Sequence, residues 1–163
     1  MANKGENVWD SLKGAKEGLK GEVQIKMGEK EAIMPIKFVE IDEIQEINQE
    51  YIEMLPEKPI VSIPMNGTKI KIKVPSDEEK YKPFNNHPKA QEWEQKLKPI
   101  EEEKKLRLAY KFIEDDYKPG DSLEEGMKII KDSLREIDII NILNKGYELN
   151  GISDRLQEAR KNF

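Results

Sequence analysis

FVEIDEIQEINQEYIEMLPEKPIVSIPMNGTKIKIKV, from Phe38 to Val74, changes its hydrophobic period partway along. At 100° per residue, Ile41, Ile44, Ile47, Tyr51, Ile52, Met54 and Leu55 fall within an arc of about 160°. Asp42, Glu43, Glu46, Glu50 and Glu53 fall on the opposite arc of about 100°. This separation predicts a helix from about 41 to 55, with its isoleucines in the core and its acids in water. Acids in the first turn complement the helix dipole, and Pro56 stops the helix. Beyond Pro56 the period becomes two. Val61, Ile63 and Met65 alternate before Asn66-Gly67, and Ile70, Ile72 and Val74 alternate after it. Asn-Gly supplies the positive φ angles of a tight two-residue turn, so this is a β-hairpin. Lys69, Lys71 and Lys73 share its other face. Pro59 and Pro64 cannot donate to a ladder, which places their strand at an edge or breaks it.

Upstream, Val23, Ile25 and Met27 alternate with polar residues, GEKE at 28–31 reads as a turn, and Ala32–Phe38 reads as a second strand. Pro35 demotes that strand to an edge or interrupts it. Residues 1–21 place Trp9, Leu12, Ala15 and Leu19 at helical spacing, but Gly14, Gly18 and Gly21 oppose a stable helix. They predict a loose helix, or an arm that orders on a partner. Downstream, 75–88 reads as an exposed Pro- and Asn-rich excursion. Ala90, Trp93 and Leu97 begin a helix, and Pro99 reads as the opening of a new one rather than a kink. Leu106, Ala109, Tyr110 and Ile113 form a stripe widened by Leu108 and Phe112. Ser122 and Glu125 have capping-box spacing ahead of Leu123, Met127, Ile130, Leu134 and Ile137. Ile139, Ile140 and Leu143 leave that phase, which predicts a break near Asp138, with Asp138 as a cap. Asn150-Gly151 is a stop signal, and Ser153 is expected to cap a last short helix.

Strands first and helices after predict an α+β fold, with N-terminal β-hairpins packed on a mainly helical C-terminal part. The expected organisation is an arm over 1–21 and a single domain over 22–163, strand-rich at 22–75 and helical at 88–163.

The 163 residues include no cysteine, which excludes a disulfide framework, a thiolate metal site and a cysteine nucleophile. A net charge of −5 disfavours nucleic acid as a partner, because that binding rests on neutralising phosphates. No apolar run is long enough for a membrane span, and the polar start lacks the apolar centre of a secretory signal. An intracellular, cytoplasmic protein fits. His87, the one histidine, reads as a loop residue rather than a general base. The chain lacks the glycine patterns of nucleotide loops and the GxSxG of hydrolases. The glycines at 14, 18 and 21 follow no strand. No enzyme activity, cofactor or metal is expected. Lys69, Lys71 and Lys73 have two readings: protection of an edge strand from pairing, or docking to an acidic surface.

PIKFVEIDEIQEINQEY, EEEKKLRLAYKFIEDDY and GMKIIKDSLREIDIINILNKGYELNGIS, in that order, resemble the small tail assembly chaperones of phages and phage-like tail particles. Those proteins share an N-terminal strand region, an acidic helix after it and a helical remainder. The resemblance covers about residues 22–155. It implies a non-enzymatic chaperone that binds the tape measure protein during tail assembly, contacts tail tube subunits and self-associates as a homo-oligomer in the host cytoplasm. Its partner-binding face is then expected at Ile139, Ile140 and Leu143. Self-association is expected through Trp9 and Leu12 of the arm, or through the hairpin at Asn66, Gly67, Lys69, Lys71 and Lys73. The rival reading is a structural connector or completion protein retained in the particle.

Overall fold

The computed structural model describes residues 4–151. Its elements run α1 (Lys4–Glu17), β1 (Lys20–Met27), β2 (Lys30–Lys37), α2 (Ile41–Met54), β3 (Ile60–Met65), β4 (Thr68–Lys73), α3 (Pro88–Phe112), α4 (Leu123–Ser133) and α5 (Glu136–Leu149). Short 3₁₀ stretches lie at Glu79–Asn86 and Asp115–Tyr117. Both hairpins precede α3, α4 and α5, so the fold is α+β. The cap expected at Ser153 lies outside the described residues.

The chain forms two compact units: residues through Asn48 together with those from Lys105 onward, and Gln49–Lys104. In the first unit, β1 and β2 pair antiparallel with Met27 opposite Lys30, so the turn is two residues, Gly28-Glu29, rather than the four expected. Gly28 at φ +61° takes the first central position, which a side chain would resist. Val23, Ile25 and Ile36 are buried, and α5 packs on this hairpin. Around them Val39, Ile44, Ile47, Leu106, Leu108, Phe112, Ile113 and Ile142 are also buried. Gly146 is fixed by this packing. A Cβ there would overlap the Phe112 ring, which is fully buried and meets Tyr147 edge-on at 5.4 Å. The side chain of Asn150 closes α5 by donating to the Val39 carbonyl at 2.7 Å and to the Gly146 carbonyl.

The α4–α5 break falls earlier than expected, at Leu134-Arg135. Asp138 lies inside the first turn of α5 instead of capping it. Its carboxylate accepts the Arg135 backbone N–H at 3.2 Å and both arms of the Arg135 guanidinium, at 2.9 and 3.0 Å. A buried carboxylate needs such partners, and Asp138 is only 1% exposed. Ser122 does cap α4, accepting from the Glu125 amide, while the Glu125 carboxylate reaches the Asp121 amide.

In the second unit, β3 and β4 pair with Met65 opposite Thr68 around Asn66-Gly67, both at positive φ (51° and 81°), as the sequence predicts. Val61, Ile63, Ile72 and Val74 form the inner face, packed with Ala90, Ile70, Tyr81 and Phe84. The 75–88 stretch is largely exposed, as expected, but Tyr81 and Phe84 dock it on this face. Its Asn85 side chain exchanges two hydrogen bonds with the Ser76 backbone, at 2.7 and 2.9 Å. His87 ends this stretch, and its Nδ1 accepts the Lys89 amide at 3.1 Å. It caps α3, with Pro88 at the first helical position. Pro99 lies inside one continuous helix and opens no new one. It is exposed, which leaves the carbonyl it deprives of a donor open to water.

Candidate interaction surfaces

α1 forms despite its glycines. Its last turn is fastened by Lys16, whose ammonium pairs with Glu40 at 2.9 Å and lies 5.3 Å from the centre of the Phe38 ring. The stripe that shaped the helix is bare: Trp9 is 72% exposed, and Val8 and Leu12 are each 54% exposed. An aromatic residue that open to water carries an unsatisfied burial free energy of about 1.5–3 kcal/mol. The helix is thus tied at one end while its apolar side faces solvent.

The other expected positions divide. In α5, Ile139 and Leu143 are buried and Ile140 is half-buried, so this stripe contributes to the first unit's core. In the second unit Asn66 and Gly67 occupy the exposed hairpin tip, and Lys69, Lys71 and Lys73 stand exposed on the outer face. Their cross-strand neighbours are Pro64, Ser62 and Ile60. Among the described residues these three lysines form no ion pair.

One cleft of about 570 Å³ lies in the first unit, lined by Lys20, Glu22, Glu114, Asp116 and Tyr117. Lys20 pairs with Glu114 at 3.1 Å. Next to Glu114, Asp115 Oδ1 accepts from Lys118 at 2.7 Å and from Lys37 at 2.9 Å. These hydrogen bonds, Lys118's first, hold its carboxyl down at about 2. Lys118 is more enclosed, and burial pulls its ammonium below the usual lysine range against the effect of Asp115. It also donates to the Ile113 carbonyl at 2.8 Å. A carboxylate held this far down is a fixed charge at neutral pH rather than a proton carrier. Among the described residues, no cluster of three or more His, Asp or Glu is placed to hold a metal ion, and no helix is long and apolar enough to cross a membrane.

Strand edges are the remaining surface. Each sheet has two strands, so every strand is an edge, as Pro35 and Pro64 require. Two-residue turns close on a hydrogen-bonded pair, which sets the ladder phase. The bonds from Phe38 N to Leu19 O and from Val74 N to Pro59 O continue that phase at the far ends. The backbone groups of Lys20, Glu22, Gln24 and Lys26 therefore face away from β2, and those of Glu31, Ile33, Pro35 and Lys37 face away from β1. Glu114 N binds Pro35 O at 3.0 Å on that outer side of β2, beside an antiparallel bridge between Ile36 and Ile113. These edge positions are missed by reading hydrophobic period alone. Turn length and proline phase together locate them.

No family model, no curated protein and no solved structure matches this chain.

Proposed function

We propose that this protein is a non-enzymatic assembly chaperone, and that its client is the tape measure protein of a phage or phage-like tail. The observation that carries the reading is α1, with Trp9, Leu12 and Val8 held open to solvent while Lys16 fastens the helix end. An amphipathic helix with a bare stripe pairs with amphipathic helices of a client, and the charged remainder of the molecule keeps the complex soluble. The resemblance to tail assembly chaperones supports the same client class. Contacts to tail tube subunits belong to this proposal, as does a cytoplasmic site of action.

The test is co-expression with a tape measure protein, the long helical client named by the proposal, followed by mass spectrometry of purified particles. The expected outcome is a soluble complex that Trp9→Ala with Leu12→Ala abolishes, and particles that lack this chain. Stoichiometric presence in finished particles would overturn the proposal in favour of a structural connector.

A further inference from the structure

We infer that the free edge of β1 is a homodimer interface, in which a second copy pairs antiparallel about Gln24 to give a four-stranded sheet ordered β2-β1-β1-β2. The inference starts from the backbone groups that the ladders leave open. Unpaired edges invite pairing, and proteins block them with proline, like charges or a covering segment. On β2, Pro35 lacks an outward N–H, and Glu114 occupies its carbonyl. On β3, Pro64 stands at an outward-facing position, opposite Lys69. On β4, the outward positions are Lys69, Lys71 and Lys73, so antiparallel self-pairing there would set lysine against lysine.

β1 has none of these blocks. Among the described residues, no hydrogen bond reaches the outward backbone groups of Lys20, Glu22, Gln24 or Lys26, and all four side chains are exposed. Their order is self-complementary. Pairing about Gln24 puts Gln24 opposite the second copy's Gln24, and Glu22 opposite its Lys26. The same pairing puts Lys26 opposite its Glu22. Every one of these positions has outward N–H and C=O groups, so a two-fold axis at Gln24 falls on a hydrogen-bonded pair, as the ladder requires.

The charges continue across the sheet. Lys26 already pairs with Glu31 on β2 at 3.3 Å. In the dimer it would sit between Glu31 and the second copy's Glu22, giving a row of alternating sign. The central row would run Ile33, Gln24, Gln24, Ile33, which flanks the axis with an isoleucine that is 60% exposed. On the inner face Val23 comes opposite the second copy's Ile25.

Sedimentation of the full chain over a concentration series tests this, with a reversible doubling of mass expected. Gln24→Pro removes the central outward N–H without touching a β1–β2 bond, and the expected result is a monomer with an unchanged circular dichroism spectrum. Glu22→Lys makes both flanking pairs repulsive and should weaken association roughly tenfold. Mixing the Glu22→Lys and Lys26→Glu chains should restore the dimer, because every flanking pair across the axis then has opposite signs. A wild-type chain that stays monomeric at the highest concentration overturns the proposal. So does a dimer that survives both Gln24→Pro and Glu22→Lys.

Discussion

Lys118 joins three parts of the first unit through one ammonium group: the Ile113 carbonyl, the Asp115 carboxylate and, at 5.5 Å, the Tyr110 ring. The consequence is readable in pH. Asp115 has a folded-state pKa lowered from 3.8 to about 2, first by its hydrogen bond to Lys118 and then by Lys37. A carboxyl lowered in the folded state stabilises above its unfolded value, and that contribution disappears as pH falls from about 4 to about 2. Because the side chain is largely solvated, its worth is below about 1 kcal/mol. Carboxyl-carbon NMR should find the Asp115 midpoint near 2. Denaturation of wild type and Asp115→Asn should differ at pH 7, with the difference shrinking in acid. A midpoint at the ordinary value, with no difference between the two proteins, would show that these lysines do not hold the carboxylate. The i,i+3 spacing of Asp115 and Lys118 is local, but nothing near them announces Lys37, which comes from β2, far away in sequence. Gly146 was hidden for the same reason: its constraint is the Phe112 ring, which belongs to another helix.

Elements were legible where local chemistry settles them. Asn66-Gly67 needed only two backbone angles, and it closes β3–β4 in the expected register. Gly67→Ala at φ 81° should therefore destabilise the protein by about 1–2 kcal/mol, measured by urea denaturation. A neutral effect would mean the turn relaxes to another type. The acidic helix α2 was found within one residue of its predicted end, yet its apolar face is narrower than the arc suggested. Ile44, Ile47 and Tyr51 are buried, while Ile52, Met54 and Leu55 are exposed. Periodicity reports which residues share a side, not how much of that side another element covers. The phase change did mark a helix break, but one that lies before Ile137, at Leu134-Arg135, and Asp138 misled as a cap. A short acid at the third helical position can reach back to the preceding amide as well as one at the cap itself. Pro99 misled because an exposed proline leaves a helix continuous when water can take the freed carbonyl.

At the scale of the molecule, the two units differ in the cores that support them. Gln49–Lys104 relies on a cluster around Val61, Ile63, Ile72, Val74 and Ala90, while the first unit buries Ile36, Val39, Phe112, Ile113 and Ile142 almost completely. Smaller cores open at lower free energy. Native-state hydrogen exchange should accordingly show β3 and β4 amides exchanging through cheaper openings than those of β1, β2 and α5. Equal protection in both hairpins would indicate one cooperative unit. The division of the chain also has a consequence in time. The first unit takes residues from both sides of Gln49–Lys104, so a ribosome delivers its halves separately. At ~5–20 residues per second the intervening stretch takes several seconds to emerge. Throughout that interval Val23, Ile25 and Ile36 have been synthesised, but α5 and Ile113 have not. The nascent hairpin must wait with its apolar side uncovered, and the chain is most vulnerable to aggregation before its last third leaves the exit tunnel.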